Sequence, residues 1–111
     1  MALQKAIFID NNSGISAEYW KIQKIYSEWI ADGSINTNIF SNTITIILEG
    51  YLSQQARIDG RDPFMSRTVV TNETDASSYF DPSVLQNSNL ITQAYEYVKD
   101  NILVFDGAID I

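Results

Sequence analysis

The sequence predicts a mainly β, α+β fold: an antiparallel sheet or sandwich-like domain with one C-terminal helix and a long central loop or arm. Three observations predict it. Up to Thr71 apolar residues recur with period two, and β-branched and aromatic residues crowd that region. From Ser88 the period becomes helical, with Leu90, Ile91, Ala94, Tyr97 and Val98 in phase. Between two long strand candidates stands Asp32-Gly33, a short-range hairpin signal that pairs them antiparallel.

The first strand is expected over Leu3 to Ile9, where Ala6 to Ile9 form a short apolar run. Asp10 to Gly14 are turn formers. They resemble the opening of a calcium loop only faintly. Gly14 stands where an oxygen ligand is needed, and Lys21 where the bidentate Glu belongs. The second strand is expected over Ser16 to Ile30, where the density of Tyr, Trp and Ile favours strand over the helix that the spread charges and the lack of Pro and Gly also allow. Trp20, Ile22, Tyr26 and Ile30 share one parity, with Lys24 as the polar interruption, and Tyr19, Lys21, Gln23, Ile25 and Trp29 take the other. Ala31 to Ser34 supply the turn, and the polar Asn36 to Asn42 either extend the hairpin or loop beyond it.

The strongest strand signal lies in Thr43 to Leu48. Its residues are nearly all β-branched, stiff at the first side-chain torsion and suited to a pleated surface. Ile44, Ile46 and Leu48 face the core, while Thr43, Thr45 and Glu49 face the other way. Ile47 breaks the alternation, which implies that the second face is partly covered. Gly50 marks a bulge or a close backbone approach. Ser53 to Phe64 reads as a long loop or arm with one helical turn through Gln54 to Ile58. Within it Arg57, Asp59, Arg61 and Asp62 alternate in sign, as exposed local ion pairs do.

Met65 to Thr71 is the next strand, with Met65, Arg67 and Val69 on one side and Ser66, Thr68 and Val70 on the other. Asn72 to Ser78 is polar and expected at the surface. Tyr79 to Ser83 forms a turn with an aromatic anchor. One helix is expected from Asn89 to Asp100, capped by Ser88 or Asn89, with Lys99 at its negative end. Ile102 to Phe105, the Asp106-Gly107 turn and Ala108 to Ile111 close the chain, and the final Ile-Asp-Ile is expected as a terminal strand tied into a sheet, of this subunit or of another.

The 111 residues suit one domain, and a 45% hydrophobic content is enough for a core. No apolar run approaches the ~20 residues that cross a bilayer, and MALQKAIFID is too short and interrupted for a signal peptide. No membrane partner is therefore expected. Net charge is −7, from 14 acidic and 7 basic residues, which argues against a nucleic-acid surface. From Glu73 onward seven carboxylates accompany a single base, Lys99. That composition reads as a solvated, repulsive surface or as a patch for a basic partner.

There is no cysteine and no histidine, so disulfides, thiolate metal sites, the commonest nitrogen ligand and the commonest general base are all unavailable. No Ser-x-x-Lys spacing and no phosphate-binding Gly-rich loop occurs. Asp59 and Asp62 sit among Arg57 and Arg61, a setting that suits a salt-bridge cluster better than acid catalysis. Neither catalysis nor a cofactor nor a metal is expected.

Three stretches resemble a family of short virion structural proteins of tailed bacteriophages and prophages. They are AEYWKIQKI at Ala17 to Ile25, LEGYLSQQARIDGRDPF at Leu48 to Phe64, and AYEYVKDNILVFDGAIDI at Ala94 to Ile111. The chain departs from the family pattern at Leu103-Val104-Phe105, where relatives more usually carry a Pro before the final Phe. The resemblance implies a tail or baseplate subunit that acts in the virion after assembly in the host cytoplasm. Its expected partners are copies of itself and other virion proteins, in a homo-oligomer. A capsid decoration protein or a host-surface carbohydrate-binding module is the alternative. The resemblance assigns no functional residues. The residues themselves nominate Tyr51, Arg57, Arg61 and Phe64 as interface candidates, because aromatic and arginine side chains on a long polar segment have the composition of an interface core and rim.

Overall fold

The structure, a computed structural model, describes residues 1–8, 14–31, 40–72 and 76–111, with 29–31 and 40–42 described through their backbone alone. Ile9, the Asp10–Ser13 part of the first turn, the Asp32-Gly33 turn and Glu73–Asp75 lie outside the described residues.

Strands β1 (Leu3–Phe8), β2 (Ser16–Ala31), β3 (Phe40–Tyr51), β4 (Met65–Thr71) and β5 (Ile109–Asp110) form one five-stranded antiparallel sheet in the order β4-β3-β2-β1-β5. Helix α1 (Gln54–Ile58) follows β3, and α2 (Ser77–Phe80), α3 (Pro82–Leu85) and α4 (Leu90–Asn101) follow β4. A 3-10 turn at Leu103–Phe105 leads into β5. The mainly β, α+β architecture with its C-terminal helix is thus what the chain adopts. Of the forms the sequence allowed, it is one sheet backed by helices and not two facing sheets.

The core explains why helices can replace a second sheet. Ile44, Ile46 and Leu48 of β3 are buried with Leu3, Ile7, Ala17, Trp20 and Val69 from the neighbouring strands. Ala94, Tyr95 and Val98 of α4 close over them, joined by Ala76, Phe80 and Phe105. Trp20 is the centrepiece. Its ring meets Phe105 edge-on at 5.3 Å, and its indole N–H donates to the carbonyls of Lys5 and Ala17, both at 3.2 Å. Lys5 lies within the register shift of β1 between Gln4 and Ile7. On the opposite face Thr45 is also buried and Ile47 is half-buried. Lys24 and Tyr26 of β2 and Thr68 and Val70 of β4 flank these two, so cross-strand neighbours alone give the partial cover that Ile47 implied.

A bulge and several burial details differ from the sequence expectation. The β2–β3 register shifts between Ile22 and Lys24, so that Ile22 opposes Leu48 but Ile25 opposes Ile46. One extra residue inverts the alternation. Tyr26 therefore joins Lys21 and Lys24 on the outer face, half exposed, while Ile25 turns to the core. The polar Lys24 in an apolar parity was the trace of this inversion. On α4, Leu90 and Ile91 stay exposed at 41% and 56%, because the helix begins one turn before the core does. Tyr95 and not Tyr97 is the fully buried aromatic. Within the stretch expected at the surface, Ala76 is buried against the core.

Tyr95 completes the sheet where β1 runs out. Its hydroxyl accepts from the Ile22 N–H and donates to the Met1 carbonyl, both at 2.9 Å. Leu3 pairs with Trp20, so Met1 and Ile22 would form the next pair along. The phenol stands in for the missing rung. Burial pushes its pKa up, partly opposed by the Ile22 hydrogen bond. Tyr95→Phe keeps the ring and strands two backbone groups. We expect it to lower stability by about 1–3 kcal/mol, read as a lower urea midpoint at unchanged slope.

The cap of the last helix and its basic last turn are as the sequence reads, and Lys99 adds a tie to β5 that the sequence does not announce. Asn89 caps α4, its side-chain oxygen accepting from the Thr92 N–H at 2.7 Å. Lys99 in the last turn bonds to Asp110 of β5 at 2.8 Å and to Glu96 at 2.9 Å. Hydrogen bonds to Asp110 and then to Glu96 raise the Lys99 pKa, so the ammonium stays charged at neutral pH and its contribution is lost as pH rises through that raised value.

Candidate functional site

The segment between β3 and β4, expected as a loop or arm, is ordered by helix-capping rules. Ser53 takes extended backbone, and its hydroxyl accepts from the Ala56 N–H at 3.0 Å, capping α1. Gly60 has φ +80, the left-handed value that favours glycine. Its N–H donates to the Arg57 carbonyl and that of Arg61 to the Ala56 carbonyl, both at 3.0 Å, the paired bonds of a Schellman ending. Phe64 then returns to the sheet, its N–H donating to the Gly50 carbonyl at 3.1 Å. Ala56 is the buried residue of this helix and seats it on the sheet.

The structure brings two of the four interface candidates together. The Arg57 guanidinium lies 5.9 Å from the centre of the Tyr51 ring, within cation–π range. Tyr51 meets Tyr19 edge-on at 6.1 Å, and its hydroxyl donates to Glu49 at 3.3 Å. Burial, then Glu49, raises the Tyr51 pKa, and Arg57 opposes them. Arg61 is exposed and Phe64 is 37% exposed; neither takes part in the Tyr51–Arg57 contact. The expected alternation of ion pairs does not form. Among the described residues no ion pair joins Arg57, Asp59, Arg61 and Asp62. Instead Asp59 accepts from the Gln55 amide at 2.8 Å, since residues four apart share a helix face.

Two shallow clefts flank this corner. One, of about 170 Å³, is lined by Lys21, Ile22, Gln23, Glu49, Tyr51 and Arg57. The other, of about 140 Å³, is lined by Gln4, Glu18, Tyr19, Ser53, Gln54 and Ile111. Both fall below the roughly 300–1,000 Å³ of small-molecule sites. Among the described residues no three carboxylates converge in a way that could hold a metal ion, and no helix is long and apolar enough to cross a membrane. Lys21, Gln23 and Glu49 were not singled out from the sequence. Their meeting depends on the register that sets Lys21 opposite Glu49, which no local pattern carries.

The most distinctive geometry lies elsewhere. Among the described residues β1 pairs with β2 only over Ser16 to Trp20, and β4 pairs with β3 only over Ile44 to Gly50. The β2–β3 ladder nevertheless continues through Glu28↔Thr43, Trp29↔Asn42, Ile30↔Ser41 and Ala31↔Phe40. Those rungs form a two-stranded ribbon beyond the body of the sheet. The shape reflects it: the radius of gyration is 16.3 Å, against about 13 Å for a compact chain of this size.

Fold and site define the chain as an antiparallel five-stranded sheet with α4 packed on its core face and a projecting ribbon. It matches no protein-family model, no curated protein and no solved structure.

Proposed function

We propose that this protein is a non-enzymatic structural subunit of a tailed-phage particle, of the tail or baseplate region, present as identical copies that join neighbours. The resemblance of Ala17 to Ile25, Leu48 to Phe64 and Ala94 to Ile111 to virion proteins supplies the setting. The observation that carries the role is the ribbon. A two-stranded β-ribbon is marginal in water on its own. One that extends past every other strand among the described residues offers its backbone to a neighbour, at the cost of ordering it alone. Tyr51 and Arg57, with Arg61 and Phe64 beside them, are a second contact region in this reading. A carbohydrate-binding role would need a wide aromatic groove. Among the described residues Tyr19 and Tyr51 pack edge to face beside two small clefts, an arrangement that favours assembly over glycan capture at this corner.

Shortening the ribbon tests this. Residues 29–42 are removed and Glu28 is joined to Thr43 through Asn-Gly, a two-residue turn that suits directly opposed strand positions. The shortened chain is expected to melt cooperatively and to be missing from assembled particles. Its incorporation at the wild-type level would contradict the role given to the ribbon.

A further inference from the structure

The two edges of the sheet are built differently. On one side β5 offers only Ile109 and Asp110, and the Asp110 side chain is held by Lys99. On the other, β4 runs for seven residues against β3 without a register shift, from Gly50↔Met65 to Ile44↔Thr71. Its alternate N–H and C=O groups point away from β3. Among the described residues no backbone hydrogen bond reaches them from that side. The devices that usually blunt an edge are missing from it. β4 has no proline, no bulge and no acidic residue, and Arg67 is its one charge. Ser66, Arg67, Thr68 and Val70 are exposed, Val70 at 62%.

We infer that β4 pairs antiparallel with β4 of a second copy about a two-fold axis at Thr68, making one continuous sheet across the dimer. Two features select a copy of the same chain as the occupant. The strand is self-complementary in that register: Thr68 meets Thr68, Arg67 meets Val69, Ser66 meets Val70 and Met65 meets Thr71. The single charge therefore never faces itself, and each exposed Val70 gains a neighbour. The second feature is charge. Each copy carries −7, so copies repel over most of their surface. From Pro63 to Asn72 no carboxylate occurs, which leaves this edge as a place where two copies can approach. The inference draws on the assembly reading only in taking the partner to be identical; the pairing itself stands on the ladder.

The absence of cysteine gives a clean test. In a pair centred at Thr68 the two Thr68 Cα atoms lie about 4.5–5.5 Å apart, within disulfide reach. The two Val70 Cα atoms are displaced by about 14 Å along the strands, from a rise of about 3.4 Å per residue. Under mild oxidation Thr68→Cys is expected to form a covalent dimer and Val70→Cys to remain uncrosslinked. In sedimentation equilibrium the wild-type chain should show a concentration-dependent dimer. Thr68→Lys, which sets two ammonium groups face to face, should be monomeric with an unchanged circular dichroism spectrum. A wild-type chain monomeric up to its solubility limit, cross-linking of Val70→Cys as readily as Thr68→Cys, or capture of an unrelated extended peptide by a monomer would each overturn the inference. If a chain that fails to cross-link is still built into particles, the β4 contact falls and the virion reading stands.

Discussion

An Ile46→Asp chain will not fold at neutral pH. Ile46 is fully buried at the middle of β3, opposite Ile25 of β2 and Val69 of β4. Losing its aliphatic bulk and leaving a cavity costs about 2–5 kcal/mol. A carboxylate in its place has no basic neighbour in the core cluster, which consists of apolar residues and the Tyr95 phenol. It must protonate or stay buried as an unpaired charge, and either adds further cost. The total reaches the roughly 5–15 kcal/mol that holds a typical domain. The expected outcome is aggregated protein, or a soluble chain without a cooperative melt. Asn87→Asp, exposed between α3 and α4, should melt with the wild type. A folded Ile46→Asp protein would mean that the buried face of β3 is wrongly assigned.

Gly50→Val is the second large effect, and here two principles predict opposite signs. Glycine weakens a strand interior and valine favours it, so propensity alone predicts stabilisation. Packing predicts the reverse. A Cβ at Gly50 would lie 2.7 and 2.8 Å from ring carbons of Trp20 and 2.9 Å from the Ala17 Cβ. Trp20 cannot yield, because Phe105 and the Lys5 and Ala17 carbonyls fix its ring. Overpacking a core costs about 1–3 kcal/mol, sometimes more. For valine against an immobile indole we expect at least about 3 kcal/mol, a fall in melting temperature of more than 10 °C at roughly 4–8 °C per kcal/mol. Gly50→Ala should show a smaller loss of the same sign. A Gly50→Val chain that melts at or above the wild type would show that Trp20 is free to move.

The sequence carried most of this fold because its signals were local. β-Branched density marked Thr43 to Leu48, a helical turn was legible at Gln54 to Ile58, and Ser88 or Asn89 marked the start of the last helix. Met65 to Thr71 was legible to the residue. What it did not carry was decided by partners far along the chain. The bulge that turns Tyr26 outward depends on how β2 meets β3. The burial of Ala76 depends on where α2 lands, and the exposure of Leu90 and Ile91 on where the core ends. Gly50 was read as a bulge or a close approach, and only the opposed Trp20 decides for the approach. The site was less legible than the fold for a different reason. Arg57 and Tyr51 come together through α1, but no residue type there demands a chemistry. Nor does any spacing show that β4 is an edge or that β2 and β3 outrun their neighbours, since both follow from strand order.

The central claim is that this chain is a component of a phage particle, and purified particles test it most directly. Particles induced from a strain that carries the gene are banded on a density gradient, and their proteins are quantified by mass spectrometry against the major capsid protein. The account predicts that the chain co-bands with particles at a fixed ratio of several copies each. A chain abundant in the lysate but missing from the banded particles would contradict it.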